Sequence, residues 1–329
     1  ESFTTNHAQG LTTLILTSDI KLDDYQPMLS QPFSVPKLPP SITTLTLELF
    51  SLGYPPGFLQ ALGQALPNLK SLTLYSQLFA GTTQESQDDA VVFIKGAAQL
   101  RELHVLDVFA PPGVFKRIAG ALAPGLGFLE VCYTYRHSDA AGFLGTLPVK
   151  EVGDLVREGL VALTVSIGAP DAGAVEEEDE DDVEGTEVGV RLVGGEEARA
   201  VVKRLVGGGK GLIMLDVTMF ELRVEEVKAL LGACGKLRVL SVAVLLGNGW
   251  NAVLEVMKGR LEGVEALEIV GVPGDDFVEK LKAGGVAGLT EEALGKLAEG
   301  SKLKSVKTSI LRTNGEHWVQ RGGSWEKMA

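Results

Sequence analysis

Cysteine, histidine and positive charge are scarce in this sequence, and each shortage closes off a class of chemistry. Two cysteines in 329 residues cannot staple a disulfide scaffold. The four histidines, His7, His104, His137 and His317, have no metal-ligand spacing to a cysteine or carboxylate cluster, so no zinc site is expected. Lysine and arginine total 30 against 43 acidic residues, a net charge of −13. Phosphate binding needs a basic surface, so no nucleic-acid partner is expected. No run of 18 uncharged apolar residues exists to cross a membrane, and no membrane role is expected. The first 20 residues lack a basic region followed by an apolar core, so no signal peptide is visible. No Asn-x-Ser/Thr acceptor occurs. With so little cysteine, a reducing cytoplasmic or nuclear setting is expected.

Hydrophobic residues make up 45% of the chain and charged residues 22%, enough to bury a continuous core. Glycine is abundant at 40 residues, which implies many turns. One pattern recurs: aliphatic, two variable residues, aliphatic, one variable, aliphatic. It reads Leu11-Leu14-Leu16, Ile42-Leu45-Leu47, Leu69-Leu72-Leu74, Leu100-Leu103-Val105 and Leu126-Leu129-Val131. It continues as Leu160-Leu163-Val165, Leu212-Leu215-Val217, Leu237-Leu240-Val242, Val264-Leu267-Ile269 and, imperfectly, Leu303-Val306-Thr308. Such a triple arises by chance about five times in a chain this long, so the weight lies in the spacing. Successive starts are 31, 27, 31, 26, 34, 52, 25, 27 and 39 residues apart. Helical patterns fill the gaps: Phe58, Leu59, Leu62 and Leu66; Val114, Phe115, Ile118 and Leu122; Val224, Val227, Leu230 and Leu231; Trp250, Val253, Leu254 and Met257. Pro67-Asn68, Gly125, Gly207-Gly208-Gly209, Gly232 and Gly235 are expected to stop these helices before each strand.

On these residues, best matched at Leu66-Pro67-Asn68-Leu69-Lys70-Ser71-Leu72-Thr73-Leu74, the chain resembles the leucine-rich repeat (LRR) superfamily. The likeness covers about 11–310 and is to the longer, ribonuclease-inhibitor-like and F-box-type irregular branch. It implies an α/β fold, a horseshoe-shaped LRR solenoid of about ten strand-helix repeats with a parallel concave sheet and a helical convex side. One departure stands out. The family's ninth motif position usually holds Asn or Cys, whereas here it holds Asp19, Phe50, Gln77, Val108, Thr134, Gly168, Phe220, Leu245 and Val272. A doubly wound α/β domain is the competing fold, but its strands would be near-continuous aliphatic runs.

The expected organisation is a single solenoid over 1–329. Residues 1–10 form its N-terminal edge, 11–170 repeats one to six, 171–195 an acidic flexible insertion, 196–310 repeats seven to ten, and 311–329 a C-terminal cap holding Trp318 and Trp325. Prolines are concentrated before the insertion, which suggests two sub-blocks hinged there. The chain begins at Glu1 without a methionine or an evident cap before Leu11, so upstream sequence is expected to cover that end.

Side chains alternate across a strand, so the first, fourth and sixth motif residues should point inward and the third, fifth and seventh should line the concave face. From that face, Tyr75, Glu102, His104, Phe128, Glu130, Tyr133, Met214 and Asp216 are the expected partner-binding residues. Exposed aromatic anchors ringed by polar groups are typical of interface hot spots. The run Glu176-Glu177-Glu178-Asp179-Glu180-Asp181-Asp182 should repel itself into a flexible loop and attract a basic partner.

No catalytic site is expected. Arg136-His137-Ser138-Asp139 holds triad letters, but consecutive residues cannot converge on one atom. Gly207-Gly208-Gly209-Lys210-Gly211 lacks the spacing and the Ser/Thr of a phosphate loop. Cys132 and Cys234 are about 14 Å apart on adjacent-strand spacing, too far to bridge. The expected function is a non-enzymatic scaffold without cofactor or metal, monomeric outside its complex, that binds another protein, best matched by a basic one. The resemblance suggests two forms, the substrate-recognition part of an F-box-like ubiquitin-ligase adaptor and a leucine-rich repeat GTPase-activating or regulatory protein, and the acidic run suggests a third, an escort for a basic client.

Overall fold

A computed structural model describes residues 10–18, 33–49, 53–75, 78–134, 140–168, 192–247, 249–274, 289–311 and 315–328. The chain divides into two compact units, Glu1–Tyr133 with Gly145–Leu160, and Thr134–Leu144 with Val161–Ala329. The breaks between the units fall at 133/134, 144/145 and 160/161 in the sequence.

In the first unit, β1 (Thr13–Ser18), β2 (Thr44–Leu49), β3 (Ser71–Tyr75), β4 (Glu102–Leu106) and β5 (Phe128–Thr134) pair in parallel in chain order. Each strand is one motif, and the register is motif on motif: Leu14 faces Leu45, Leu72, Leu103 and Leu129 in turn. The inward leucines and valines of β2 to β5 are sealed from solvent. Those of β1 are half-exposed, and its Ile15 is 58% exposed.

The second unit repeats the plan. Its strands β6 (Ala162–Gly168), β7 (Met214–Leu222), β8 (Val239–Leu246), β9 (Ala266–Pro273) and β10 (Ser305–Ile310) pair in parallel, with Leu163, Leu215, Leu240, Leu267 and Val306 in one row. One backbone device recurs at every step within both units. The carbonyl at motif position two accepts from two successive N–H groups of the next strand: Thr12 from Thr43 and Thr44, Thr43 from Lys70 and Ser71, Lys70 from Arg101 and Glu102, Arg101 from Gly127 and Phe128. Val161, Ile213, Arg238 and Glu265 do the same in the second unit. After β10 the chain reverses into an antiparallel hairpin, β11 (Glu316–Arg321) and β12 (Ser324–Met328), which buries Trp325.

The helical patterns become α1 (Phe58–Ala65), α2 (Gln84–Gly96), α3 (Val114–Ala121), α4 (Ala140–Thr146), α5 (Val149–Val152), α6 (Gly195–Gly208), α7 (Val224–Ala233), α8 (Trp250–Met257) and α9 (Glu291–Ala298). The glycines do not serve mainly as helix stops. Gly207, Gly208 and Gly232 lie inside α6 and α7, whereas left-handed Gly57 (φ 84°) and Gly113 (φ 89°) start α1 and α3. A chain leaving a strand loop must swing sharply into the helix, and only a residue without Cβ takes that backbone freely.

A glycine N-cap offers no side-chain acceptor to the first-turn N–H groups, and the acceptor comes from the following repeat. Asp89 of α2, only 7% exposed, takes the N–H of Leu59 (3.0 Å) and Gln60 (2.9 Å). Glu151 of α5 takes the N–H of Gly113 (2.5 Å) at the start of α3, while Arg157 donates to the Leu122 carbonyl (2.8 Å) at its end. Anion at the N-terminus and cation at the C-terminus both suit the helix dipole.

The ninth motif position, where the family usually has Asn, is filled by apolar residues at Val108, Phe220 and Val272, all buried. The backbone there is satisfied by neighbouring loops. Phe79 N–H donates to the Phe109 carbonyl (2.8 Å), and Val193 N–H donates to the Met219 carbonyl (3.0 Å).

Candidate functional site

Motif parity places the third, fifth and seventh residues of every motif on the sheet face opposite the leucine rows. On β3 to β5 that face carries Tyr75, Glu102, His104, Phe128 and Glu130, five of the expected residues, on three adjacent strands. Tyr75 is 38% exposed, Glu102 is exposed, and His104, Phe128 and Glu130 are half-buried. His104 Nδ1 lies 2.5 Å from Glu130 Oε2, and its ring packs on Phe128 with centroids 4.9 Å apart. Cys132 Sγ–H donates to the other Glu130 oxygen at 3.5 Å. Glu130 is therefore held from two sides, and it fixes His104 against Phe128.

Tyr133 is a correction. It was expected on this face, but it is 2% exposed. It occupies the eighth position of its motif, in phase with buried Leu129 and Val131, so the strand's own alternation turns it inward. Burial raises its hydroxyl pKa, with a further upward push from the charge of Asp107. The hydroxyl has no hydrogen-bond partner among the described residues.

In the second unit, half-buried Met214 and Asp216 occupy the third and fifth positions of the motif on β7, as parity requires. Asp216 Oδ1 accepts from the Thr218 N–H (3.0 Å) and hydroxyl (2.8 Å), and Ser241 donates to Glu268 Oε2 at 3.2 Å along the same row. At the end of β7, burial raises the Glu221 pKa above the usual carboxylate range.

One motif per strand, helices between most strands, leucine rows in register within each unit and a carbonyl that accepts twice at each step within each unit together define the repeat. Each unit has a leucine-rich-repeat-type fold. No family model and no curated protein sequence matches it. Solved structures of similar fold include the yeast Rad7 and Elc1 complex, at 14% identity over 96% of this chain and 80% of that one, TM-score 0.39. A leucine-rich repeat protein of Leptospira interrogans matches at 13% identity over 91% of this chain and 72% of its own, TM-score 0.34. An internalin of Listeria monocytogenes matches at 10% over 83% and 76%, TM-score 0.32.

The same face also carries residues outside the expected set. Glu48 at the seventh position of β2 is exposed, and Leu106 and Cys132 line up with Tyr75 across β3 to β5. The signal was present, because the column that selected Tyr75 selects them too. The run 176–182 and residues His7, His137, Ser138 and Asp139 lie outside the described residues. Among the described residues, no group of three or more His, Cys, Asp or Glu side chains could hold a metal ion, and no helix is long and apolar enough to cross a membrane.

Proposed function

We propose that this chain is a protein-interaction scaffold that holds a protein partner on the sheet face opposite its leucine rows. The residues assigned to contact are Tyr75, Glu102, His104, Phe128 and Glu130 of the first unit; Met214 and Asp216 stand at the equivalent motif positions of the second unit, taken by itself. The observation that carries the reading is the β3–β5 surface, where an exposed tyrosine and a fixed His104–Phe128 pair stand among carboxylates. Aromatic anchors with a polar rim supply most of the affinity in protein interfaces, and repeat proteins bind through the extended surface that stacking creates.

The test is quantitative affinity capture with the wild-type chain, a Tyr75→Ala/Phe128→Ala double variant and Val92→Ala as control. Val92 is an exposed apolar residue on α2, on the helix side. Retention of a specific protein that falls at least tenfold in the double variant and persists in the control supports the reading; equal retention by all three contradicts it. The captured protein also decides among the forms suggested by the sequence: a ubiquitin-ligase substrate for the adaptor, a small GTPase for the regulator, a strongly basic client for the escort.

A further inference from the structure

The charge on the first-unit face is one-sided. Across the third, fifth and seventh positions of β1 to β5 stand Glu48, Glu102 and Glu130, with no lysine or arginine. The cations nearest in sequence, Lys70 and Arg101, come at motif position two, before β3 and β4 begin. The Arg101 guanidinium is drawn aside over Gly125, where it occupies the space a Cβ would need. Glu130 is engaged by His104 and Cys132, whereas Glu102 is exposed and sits directly across from Phe128 on the next strand.

Resting on the scaffold reading, we propose that the partner presents an extended basic segment to β3–β5, with an arginine or lysine stem against Phe128 and its charged head on Glu102. A cation beside an aromatic ring gains from the ring quadrupole, and a facing carboxylate adds a charge-assisted hydrogen bond. From Phe128 the segment runs towards Tyr75, two strands over and four residues along, a span of roughly 16 Å that about five extended residues cover. An acidic or neutral segment would leave Glu48 and Glu102 facing like charge or nothing. The carboxylates thus select the partner's sign, while Tyr75 and Phe128 supply contact area.

The probe is a fluorescein-labelled nonapeptide of alternating arginine and serine, titrated by anisotropy at 200 mM salt, with a glutamate-serine peptide as its opposite. At that ionic strength loose attraction to exposed charge is largely screened. Five chains are compared: the wild type, a deletion of 174–186, Glu102→Lys, Phe128→Ala, and Glu85→Lys, which makes the same charge change at an exposed position of α2. The expected result is saturable binding of the basic peptide alone. It should change less than threefold on deletion or in Glu85→Lys, weaken at least tenfold in Glu102→Lys, and weaken severalfold in Phe128→Ala. Binding that vanishes with the deletion, or survives Glu102→Lys, overturns the proposal, as does failure of the basic peptide to bind. In each of those cases a Tyr75→Ala/Phe128→Ala variant that still loses its captured protein leaves the scaffold reading standing, so the two failures are told apart.

Discussion

Tyr133 shows how one position along a strand reverses a side chain's environment. It follows half-exposed Cys132 by one residue and lies among the leucine row, with its hydroxyl buried and unpartnered among the described residues. A buried polar group without a partner carries its desolvation penalty uncompensated. Tyr133→Phe should therefore leave stability unchanged or raise it by about 1 kcal/mol, whereas Tyr133→Ala should lower it by about 3–5 kcal/mol through the cavity left behind. Urea unfolding of both variants checks the pair. Cys234 gives a pH prediction. Burial pushes its thiol pKa up to about 11, so the folded state keeps the proton that the unfolded chain releases from pH 9 upward. Stability should fall with rising pH across that window, and iodoacetamide at pH 9 should label Cys234 only after unfolding, as read by mass spectrometry. Gly53 is fixed by space as well as conformation. Its φ is 126°, and an added Cβ would lie 2.8 Å from Gly81 Cα.

At the scale of elements, strands and helices were legible in the sequence because their periods differ. The ten aliphatic triples became ten strands, and all four helical patterns formed where the spacing put them. Helix starts were less legible, since their chemistry is not local. A capping search looks for Ser, Thr, Asp or Asn immediately before a helix, yet α1 and α3 begin on glycine and borrow Asp89 and Glu151 from elements 29 to 38 residues away. Asp89→Ala should lower stability by about 1–3 kcal/mol, measured by thermal unfolding. Asn at that position retains one acceptor oxygen and should recover part of the loss. Next to it, the Arg117 guanidinium and Gln84 hold Asp88 below the usual carboxylate range, tying α2 to α3. That contribution is present at neutral pH and is lost as pH falls through the lowered pKa.

At the scale of the whole chain, the repeat period set the register of both units, because each inward row needs the same motif position on every strand. The candidate site was legible to the same degree: parity assigned Tyr75, Glu102, His104, Phe128 and Glu130 to one face of β3–β5, where they lie. Parity did not give the pairing of His104 with Glu130 and Phe128, which depends on rotamers, or the course of the Arg101 guanidinium over Gly125. The first break between the compact units falls at 133/134, within β5, and two more follow at 144/145 and 160/161. The most direct test of the central claim is hydroxyl-radical footprinting of the chain alone and with its captured protein. The account predicts that labelling of Tyr75, His104 and Phe128 drops in the complex while exposed Val92 on α2 stays labelled; protection of Val92 with Tyr75 and Phe128 unchanged would contradict it.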